Sequence, residues 1–196
     1  RSLRRIPVDP GCIHTGRNTI TLALDYDEVF AGLECAYLLG DFGVAVDGVD
    51  TRLVARPASL ALGNWTPQGL PFYSGNLTYR TRISTSVSEG KRLFVRIPEY
   101  EGTAVRILID GEEAGMLAWP PYELDITPFL PEAHECELGI QILGHRRNSH
   151  GPLHLVDPAP TWTGSGQFVT QGDQWTDAYH VVPLGLMQPP VLQLRG

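Results

Sequence analysis

The sequence predicts an all-β fold, an antiparallel β-sandwich or jelly roll, on three observations. Short segments such as residues 77–83 and 92–97 alternate apolar and polar side chains with a period of two, which is typical of half-buried strands. Asp110-Gly111 lies between two such segments and has the composition of a two-residue hairpin turn. No segment sustains the apolar stripe of an amphipathic helix over three turns. Many short strands with turn residues between them are typical of a sandwich or jelly roll.

The strand candidates follow one another along the whole chain. In the first part they are residues 19–24, 34–39 and, after a break at 40–43, 44–46. In the second part they are residues 77–83, 92–97, 105–109, 112–117, 138–142 and 191–194. Residues 125–130 predict one short helical turn, with Thr127 as its cap and Pro128 at its first position.

The composition is that of an acidic globular domain. The 196 residues carry 15 Lys+Arg against 22 Asp+Glu, a formal net charge of −7, and 42% of them are hydrophobic. That apolar fraction excludes intrinsic disorder, and an acidic balance without a basic cluster argues against nucleic acid or a membrane as partner. A change in character near Arg56-Pro57 separates two regions. Residues 1–57 supply N-terminal strands, either part of the same sandwich or the end of a preceding domain, and residues 58–196 form a β-sandwich.

Two features concern the context and the cross-links of the chain. It begins with Arg1 rather than Met, from which we expect a piece of a longer protein. Its three cysteines, Cys12, Cys35 and Cys136, are far apart and form no CxxC pair. The alternatives are buried free thiols or one disulfide with a leftover thiol.

Motifs for hydrolysis are weak. The Gly-Ser-Gly stretch at residues 164–166 lacks the strand-to-helix context of a nucleophile elbow. Glu99 and Glu101 could supply the paired carboxylates of a glycosidase, but they lie between Pro98 and Gly102. We interpret this segment as a solvated loop.

Three histidines lie close together in the sequence. His145, His150 and His154 have no carboxylate or cysteine among their immediate neighbours, and Pro152 interrupts any helix that would align them. We interpret them as hydrogen-bonded loop histidines rather than as metal ligands.

Three loops rich in Gly, Pro and polar residues also carry aromatic or planar polar side chains, at residues 64–75, 118–122 and 146–152. Aromatic faces stack on the C–H faces of sugar rings, and Arg, Asn and His donate hydrogen bonds to hydroxyls. The alternative is that these aromatic residues cover the ends of the sandwich core. The candidate carbohydrate-binding residues are Trp65, Tyr73, Trp119, Tyr122, Arg146, Asn148 and His150.

The same loops, in the same order, resemble a known family. Residues 63–79 are similar to the WxxQGxPFYSGxxxY stretch near the C-terminal end of large bacterial glycoside hydrolases of the α-L-rhamnosidase type and their uncharacterised relatives. Residues 38–42 resemble their YLLGDF strand, residues 119–127 their WPPYxLDIT segment and residues 147–154 their RNLLGPHH segment. The resemblance runs from about residue 18 to residue 194.

The resemblance implies a galactose-binding-like β-sandwich downstream of a catalytic barrel. In that family the catalytic acid and base belong to the barrel, so it implies an accessory domain whose partners are carbohydrate and the catalytic domain of the same polypeptide. It also implies a periplasmic or extracellular location. We predict no cofactor. Sandwiches of this type often hold a structural Ca²⁺, but no EF-hand-like spacing in the sequence locates one.

Three hypotheses for the function remain. The first is a non-catalytic accessory domain that binds carbohydrate or frames the active site of an absent catalytic barrel. The second is a structural sandwich that docks on the barrel without a ligand, and the third is a self-contained glycoside hydrolase. We expect the first.

Overall fold

The computed structural model describes residues 5–23, 36–158 and 160–196. The chain divides into two compact units, residues 1–39 and residues 40–196. In the first unit, the described residues form one 3₁₀ turn, Pro10–Cys12, where Asp9 Oδ1 accepts a hydrogen bond from the Gly11 N–H (2.9 Å).

The prediction of two strands in the first unit is wrong for the residues that the structure describes there. Residues 19–23 and 36–39 are irregular, and residues 24, 34 and 35 lie outside the described residues. Ile20 and Leu22 alternate with polar residues as a strand requires, but both side chains are exposed. Alternation produces a strand only where a second strand pairs with it.

The second unit is built from twelve short strands, counted over its described residues 40–158 and 160–196. Those predicted after residue 40 are all present, with ends shifted by a few residues. The described part of the chain contains no helix long and apolar enough to cross a membrane. The strands are β1 Phe42–Asp47, β2 Asp50–Ala55, β3 Gly63–Asn64, β4 Leu77–Ser84, β5 Arg92–Arg96, β6 Tyr100–Glu101, β7 Ala104–Ile109, β8 Glu112–Leu117, β9 Glu123–Asp125, β10 Glu135–Leu143, β11 Gly185–Leu186 and β12 Val191–Arg195, with one helical turn α1, Arg147–His150, and 3₁₀ turns at Thr66–Gln68, Thr127–Phe129 and Ser165–Gln167.

The strands pair antiparallel in every sheet. The largest sheet has the order β4-β10-β7-β8, and two three-stranded sheets have the orders β12-β5-β9 and β3-β11-β6. Strands β1 and β2 form a separate hairpin. The predicted all-β antiparallel sandwich is confirmed.

The core lies between the sheets and contains the apolar face of strands such as β5, β7 and β10. In the four-stranded sheet, Ile140 of β10 lies opposite Tyr79 of β4 and Ile107 of β7, and these residues share one core face. The buried residues of the core include Ile83, Val105, Ile107, Ile109, Leu138, Ile140 and Ile142 from the four-stranded sheet and Leu93, Val95 and Leu186 from the other two.

The predicted helical turn is present as the 3₁₀ turn Thr127–Phe129, but Thr127 is not its cap. Instead, the Thr127 hydroxyl accepts a hydrogen bond from the Leu93 N–H of β5 (2.7 Å). Asp125 Oδ1 in turn accepts from the Thr127 N–H (3.0 Å). Thr127 therefore joins the turn to the neighbouring strand.

The described cysteines are free thiols in different environments. Cys136 is buried in β10 and Cys12 is exposed, so the expectation of buried thiols is wrong for Cys12. Burial raises the pKa of the Cys136 thiol above its ordinary value. Cys35 lies outside the described residues.

We expect Gly111→Ala to destabilise the protein by about 1–2 kcal/mol, because Gly111 has a left-handed backbone that other residues adopt at a cost. Asp110 (φ 49°) and Gly111 (φ 89°) form the turn between β7 and β8, and a methyl on Gly111 meets open space, so the cost is conformational. Urea unfolding measures it. Gly166→Ala is the control, since it also adds a methyl in open space but at a φ outside that region, and should change stability by less than about 0.5 kcal/mol. Equal effects would contradict the assigned turn.

Candidate functional site

Trp65, the first predicted carbohydrate ligand, belongs to the core. Its side chain is 0% exposed and packs within the core cluster, and its backbone N–H donates to the Leu184 carbonyl (2.8 Å). A ring without accessible surface cannot stack on a sugar, so the structure places Trp65 in the alternative role of closing the core. Tyr73 lies edge-to-face with it, with ring centroids 6.3 Å apart, and remains exposed.

The loop around Trp65 is held by its own polar side chains. Gln68 Oε1 accepts from the Ala61 N–H (2.8 Å), and Gln68 Nε2 donates to the Asn64 carbonyl (2.8 Å). Gly69 follows with φ 92°, and its carbonyl accepts from the Val44 N–H of β1 (2.9 Å). The most recognisable stretch of the sequence thus stabilises a loop.

Asn148 is also a structural residue. It is 0% exposed in α1, and its side-chain amide makes two hydrogen bonds to Val182. The Val182 N–H donates to Asn148 Oδ1 (2.8 Å), and Asn148 Nδ2 donates to the Val182 carbonyl (2.8 Å). Its amide therefore joins α1 to residue 182 and is not available to a ligand. Arg146 and His150, on the same turn, are exposed.

Arg147 is a residue that the sequence analysis missed. Its Nη1 and Nη2 are buried without a hydrogen-bond partner, and no ion pair to it occurs in the described part of the chain. Arg106 and Asp125 also have a buried atom without a hydrogen bond, but they pair with Glu113 and Arg92. Burial lowers the pKa of the Arg147 guanidinium. The one sequence signal that distinguishes Arg147 from Arg146 is its position as the first residue of the segment that resembles RNLLGPHH.

The predicted loop histidines make local hydrogen bonds. His145 Nδ1 accepts from the Arg147 N–H (3.3 Å), and His150 Nδ1 lies 2.7 Å from the Ser149 hydroxyl. His154 Nδ1 donates to the Thr176 carbonyl (3.2 Å). Over residues 5–23, 36–158 and 160–196, no three His, Cys, Asp or Glu side chains are close enough together to hold a metal ion.

A small cleft opens beside Tyr122, another predicted residue, and we call it the Glu99–Tyr122 cleft. It has a volume of about 270 Å³ and is lined by Pro98, Glu99, Tyr100, Gly102 and Tyr122. The loop after β5 and the loop before β9 meet here, because the Ile97 N–H donates to the Tyr122 carbonyl (2.9 Å). The two tyrosine rings pack edge-to-face, 5.2 Å apart at 87°. Burial, and then the charge of Tyr122 and a side-chain hydrogen bond to it, raise the pKa of the Tyr100 phenol.

Glu99 presents a fixed carboxylate to this cleft. Its Oε2 accepts from Gln188 Nε2 (2.6 Å), and its backbone carbonyl accepts from the Met187 N–H (3.1 Å). No other side chain in the described ranges donates to this carboxylate. Glu99 is exposed and irregular, as the sequence predicted, but the predicted loop is wrong for Glu101, which lies in β6. The sequence could not show that Gln188, far along the chain, binds the Glu99 carboxylate. Trp119 lies three residues before Tyr122 and is 81% exposed.

A larger groove of about 1050 Å³ follows the edge strand β4. Its walls combine aliphatic residues with aromatic and charged ones, and Tyr73 contributes to its lining. The Tyr73 hydroxyl donates to the Asn76 carbonyl (3.0 Å). The structure thus divides the predicted residues among the core, the Glu99–Tyr122 cleft, the α1 turn and this groove. Whether the accessible ones bind carbohydrate stays a prediction.

Among known proteins, the chain is similar to several solved structures. No protein-family model matches the chain, and no curated protein matches it. It is similar to a rhamnosidase from Novosphingobium sp. PP1Y, with 20% identity over 91% of this chain and 16% of that one and a TM-score of 0.44. It is also similar to a calcium-binding mutant of β-glucuronidase 2 from Bacteroides uniformis (18% identity, 72% and 14% of the two chains, TM-score 0.40). A third is a glycosyl hydrolase family 2 member from Bacteroides cellulosilyticus (12% identity, 82% and 19%, TM-score 0.39). The chain spans less than a fifth of the length of each.

We expect Asn148→Ala to lower the free energy of unfolding by about 2–4 kcal/mol, because it leaves both Val182 backbone groups without their partner. Equilibrium urea unfolding checks this. Asn76→Ala is the matched control, since Asn76 is exposed, and it should change stability by less than about 0.5 kcal/mol. A small effect of Asn148→Ala would show that water replaces the amide.

We expect Arg147→Met to raise the thermal midpoint and to stabilise the chain by about 1–4 kcal/mol, because methionine fills the space without an uncompensated charge. Differential scanning calorimetry measures the change. Arg146→Met removes one exposed arginine from the adjacent position and should have little effect. Destabilisation by Arg147→Met alone would mean that the guanidinium has an anionic partner.

Proposed function

We propose that this chain is a non-catalytic accessory domain of a glycoside hydrolase and that it binds carbohydrate in the Glu99–Tyr122 cleft. The observation that carries the proposal is the chemistry of that cleft. Glu99 offers a fixed acceptor, Tyr100 offers a phenol, and Pro98 and the tyrosine rings offer apolar surface. A sugar ring presents hydroxyls at its edge and C–H groups on its faces, so it needs these groups together.

The exposed Trp119 supports the same proposal. Its ring is 81% exposed, although large apolar side chains are normally covered unless a partner uses them. It shares the short loop that leads to Tyr122 in the cleft. An exposed tryptophan three residues from Tyr122 is suited to stacking on a sugar of a longer chain.

The family resemblance supports the accessory role. The stretches that carry it lie at residues 63–79, 119–127 and 147–154, and in that family the catalytic acid and base belong to a separate barrel. Carbohydrate binding by the exposed Arg146 and His150 stays a prediction. A structural Ca²⁺ and a periplasmic or extracellular location also stay predictions.

A second candidate function is docking on the catalytic domain of the same polypeptide. The observation that favours it is the groove along β4, whose volume of about 1050 Å³ and mixed lining of leucines, aromatic and charged residues suit a protein surface. Leu60, Leu62, Leu70 and Leu77 contribute to that lining. The two functions use different surfaces and are compatible.

We expect Trp119→Ala and Glu99→Ala each to weaken retention of the chain on a polysaccharide at least about tenfold, since aromatic anchors and fixed polar groups carry most of the binding energy. Affinity gel electrophoresis over a panel of neutral and acidic polysaccharides measures retention. Trp162→Ala is the matched control, because Trp162 is another exposed tryptophan (67%) and does not belong to the loop that leads to Tyr122.

Other outcomes separate the hypotheses. Retention on no polysaccharide would favour docking alone, and equal losses in Trp119→Ala and Trp162→Ala would remove the site from this cleft. Hydrolysis of aryl glycosides by the purified chain would contradict a non-catalytic role.

A further inference from the structure

We infer that the Glu99–Tyr122 cleft selects uncharged pyranose sugars and rejects uronic acids. The inference rests on the proposed function and names the class of ligand for the same site. Glu99 is the one charged residue among the five that line the cleft. A sugar oxidised at C6 would bring a second carboxylate close to it.

The carboxylate of Glu99 lines a cleft and has no counter-ion among the described residues, unlike several carboxylates on the sheets. Glu123 is held by both Nη atoms of Arg195 (2.8 and 2.7 Å), and Glu137 pairs with Arg80 (3.0 Å). The partner of Glu99 is the neutral amide of Gln188. The cleft therefore keeps an uncompensated negative charge, which repels an anionic ligand.

The hydrogen-bonding groups of the cleft match neutral hydroxyls. Gln188 occupies Oε2 of Glu99 and fixes the orientation of the carboxylate, so Oε1 is left to accept from ligand hydroxyls. The Tyr100 hydroxyl hydrogen-bonds with the Tyr122 side chain, and its oxygen can still accept from a ligand hydroxyl. Recognition of a uronate would instead use an arginine fork or a lysine ammonium, and neither lines the cleft.

The size of the cleft limits the ligand to one ring. Its volume of about 270 Å³ lies just below the roughly 300–1,000 Å³ of pockets that take drug-sized ligands. The charge of that one ring therefore decides whether the cleft accepts it.

The test uses sugar pairs that differ only in oxidation at C6. These are methyl glucoside and methyl glucuronide, and methyl galactoside and methyl galacturonide. Ligand-observed NMR titration on the full chain at one ionic strength gives the dissociation constants. We expect the neutral member of at least one pair to bind, and its uronate partner to bind at least about tenfold more weakly.

Two variants show whether Glu99 is the cause. Glu99→Gln should reduce the difference within a pair at least about fivefold, because the like-charge contact disappears. Glu112→Gln removes an equal charge outside the cleft lining and should leave the difference unchanged. Thermal melts of both variants confirm that they fold.

The results distinguish this inference from the proposed function. If a neutral sugar and its uronate bind equally, or the uronate binds more tightly, the inferred selectivity is overturned. Carbohydrate binding by the cleft is then still supported. If Glu99→Gln keeps the full difference, Glu99 is not its origin. If neither a neutral sugar nor a uronate binds, both the inference and carbohydrate binding at this cleft fail.

Discussion

The buried backbone N–H and C=O groups of residues 182–188 need hydrogen-bond partners. The loops of the sandwich are held in place by the contacts that supply those partners. Asn148 pairs with both backbone groups of Val182, and Asn64 Oδ1 accepts from the Leu184 N–H (3.2 Å). Strand β11 then pairs with β3 on one side and β6 on the other. At the end of the segment, Met187 and Gln188 bind Glu99. An unpaired buried backbone group costs about as much as a lost hydrogen bond. The hydrogen bonds that avoid this cost connect α1, the Trp65 loop and the cleft to the same segment, residues 182–188.

This constraint explains why residue types suited to sugar recognition are used for folding here. Trp, Asn and Gln are the side chains expected in a carbohydrate site. In this protein Trp65 fills the core, and Asn148 and Gln68 hold loop backbone in place. These contacts also position the cleft. Asn148 binds the segment at residue 182, and the same segment continues to Gln188, which binds Glu99 in the cleft. Polar side chains in loops are therefore needed for a carbohydrate site, but their presence does not identify one.

The parts of the fold that the sequence could predict are those set by neighbouring residues. Alternation along 77–83 and the Asp110-Gly111 turn both depend on local backbone geometry, and both are confirmed. The same alternation failed at residues 19–23, because a strand also needs a partner that local sequence does not contain. The difference between Arg146, which is exposed, and Arg147, whose guanidinium is buried, depends on packing against distant loops. The fixing of Glu99 by Gln188, 89 residues later, is likewise non-local.

Glu99 and Arg147, neither of which has a counter-ion among the described residues, show how solvent access decides what an unpaired charge does. Arginine forks compensate carboxylates on the sheet faces, as Arg195 does for Glu123. The Glu99 carboxylate is hydrated at an open cleft, so its charge costs little stability and remains available to a ligand. The guanidinium nitrogens of Arg147 are buried without an acceptor among the described residues, so the same lack of a partner there opposes folding. An unpaired charge is thus consistent with a binding role only where a ligand can reach it, and of these two residues Glu99 alone meets that condition.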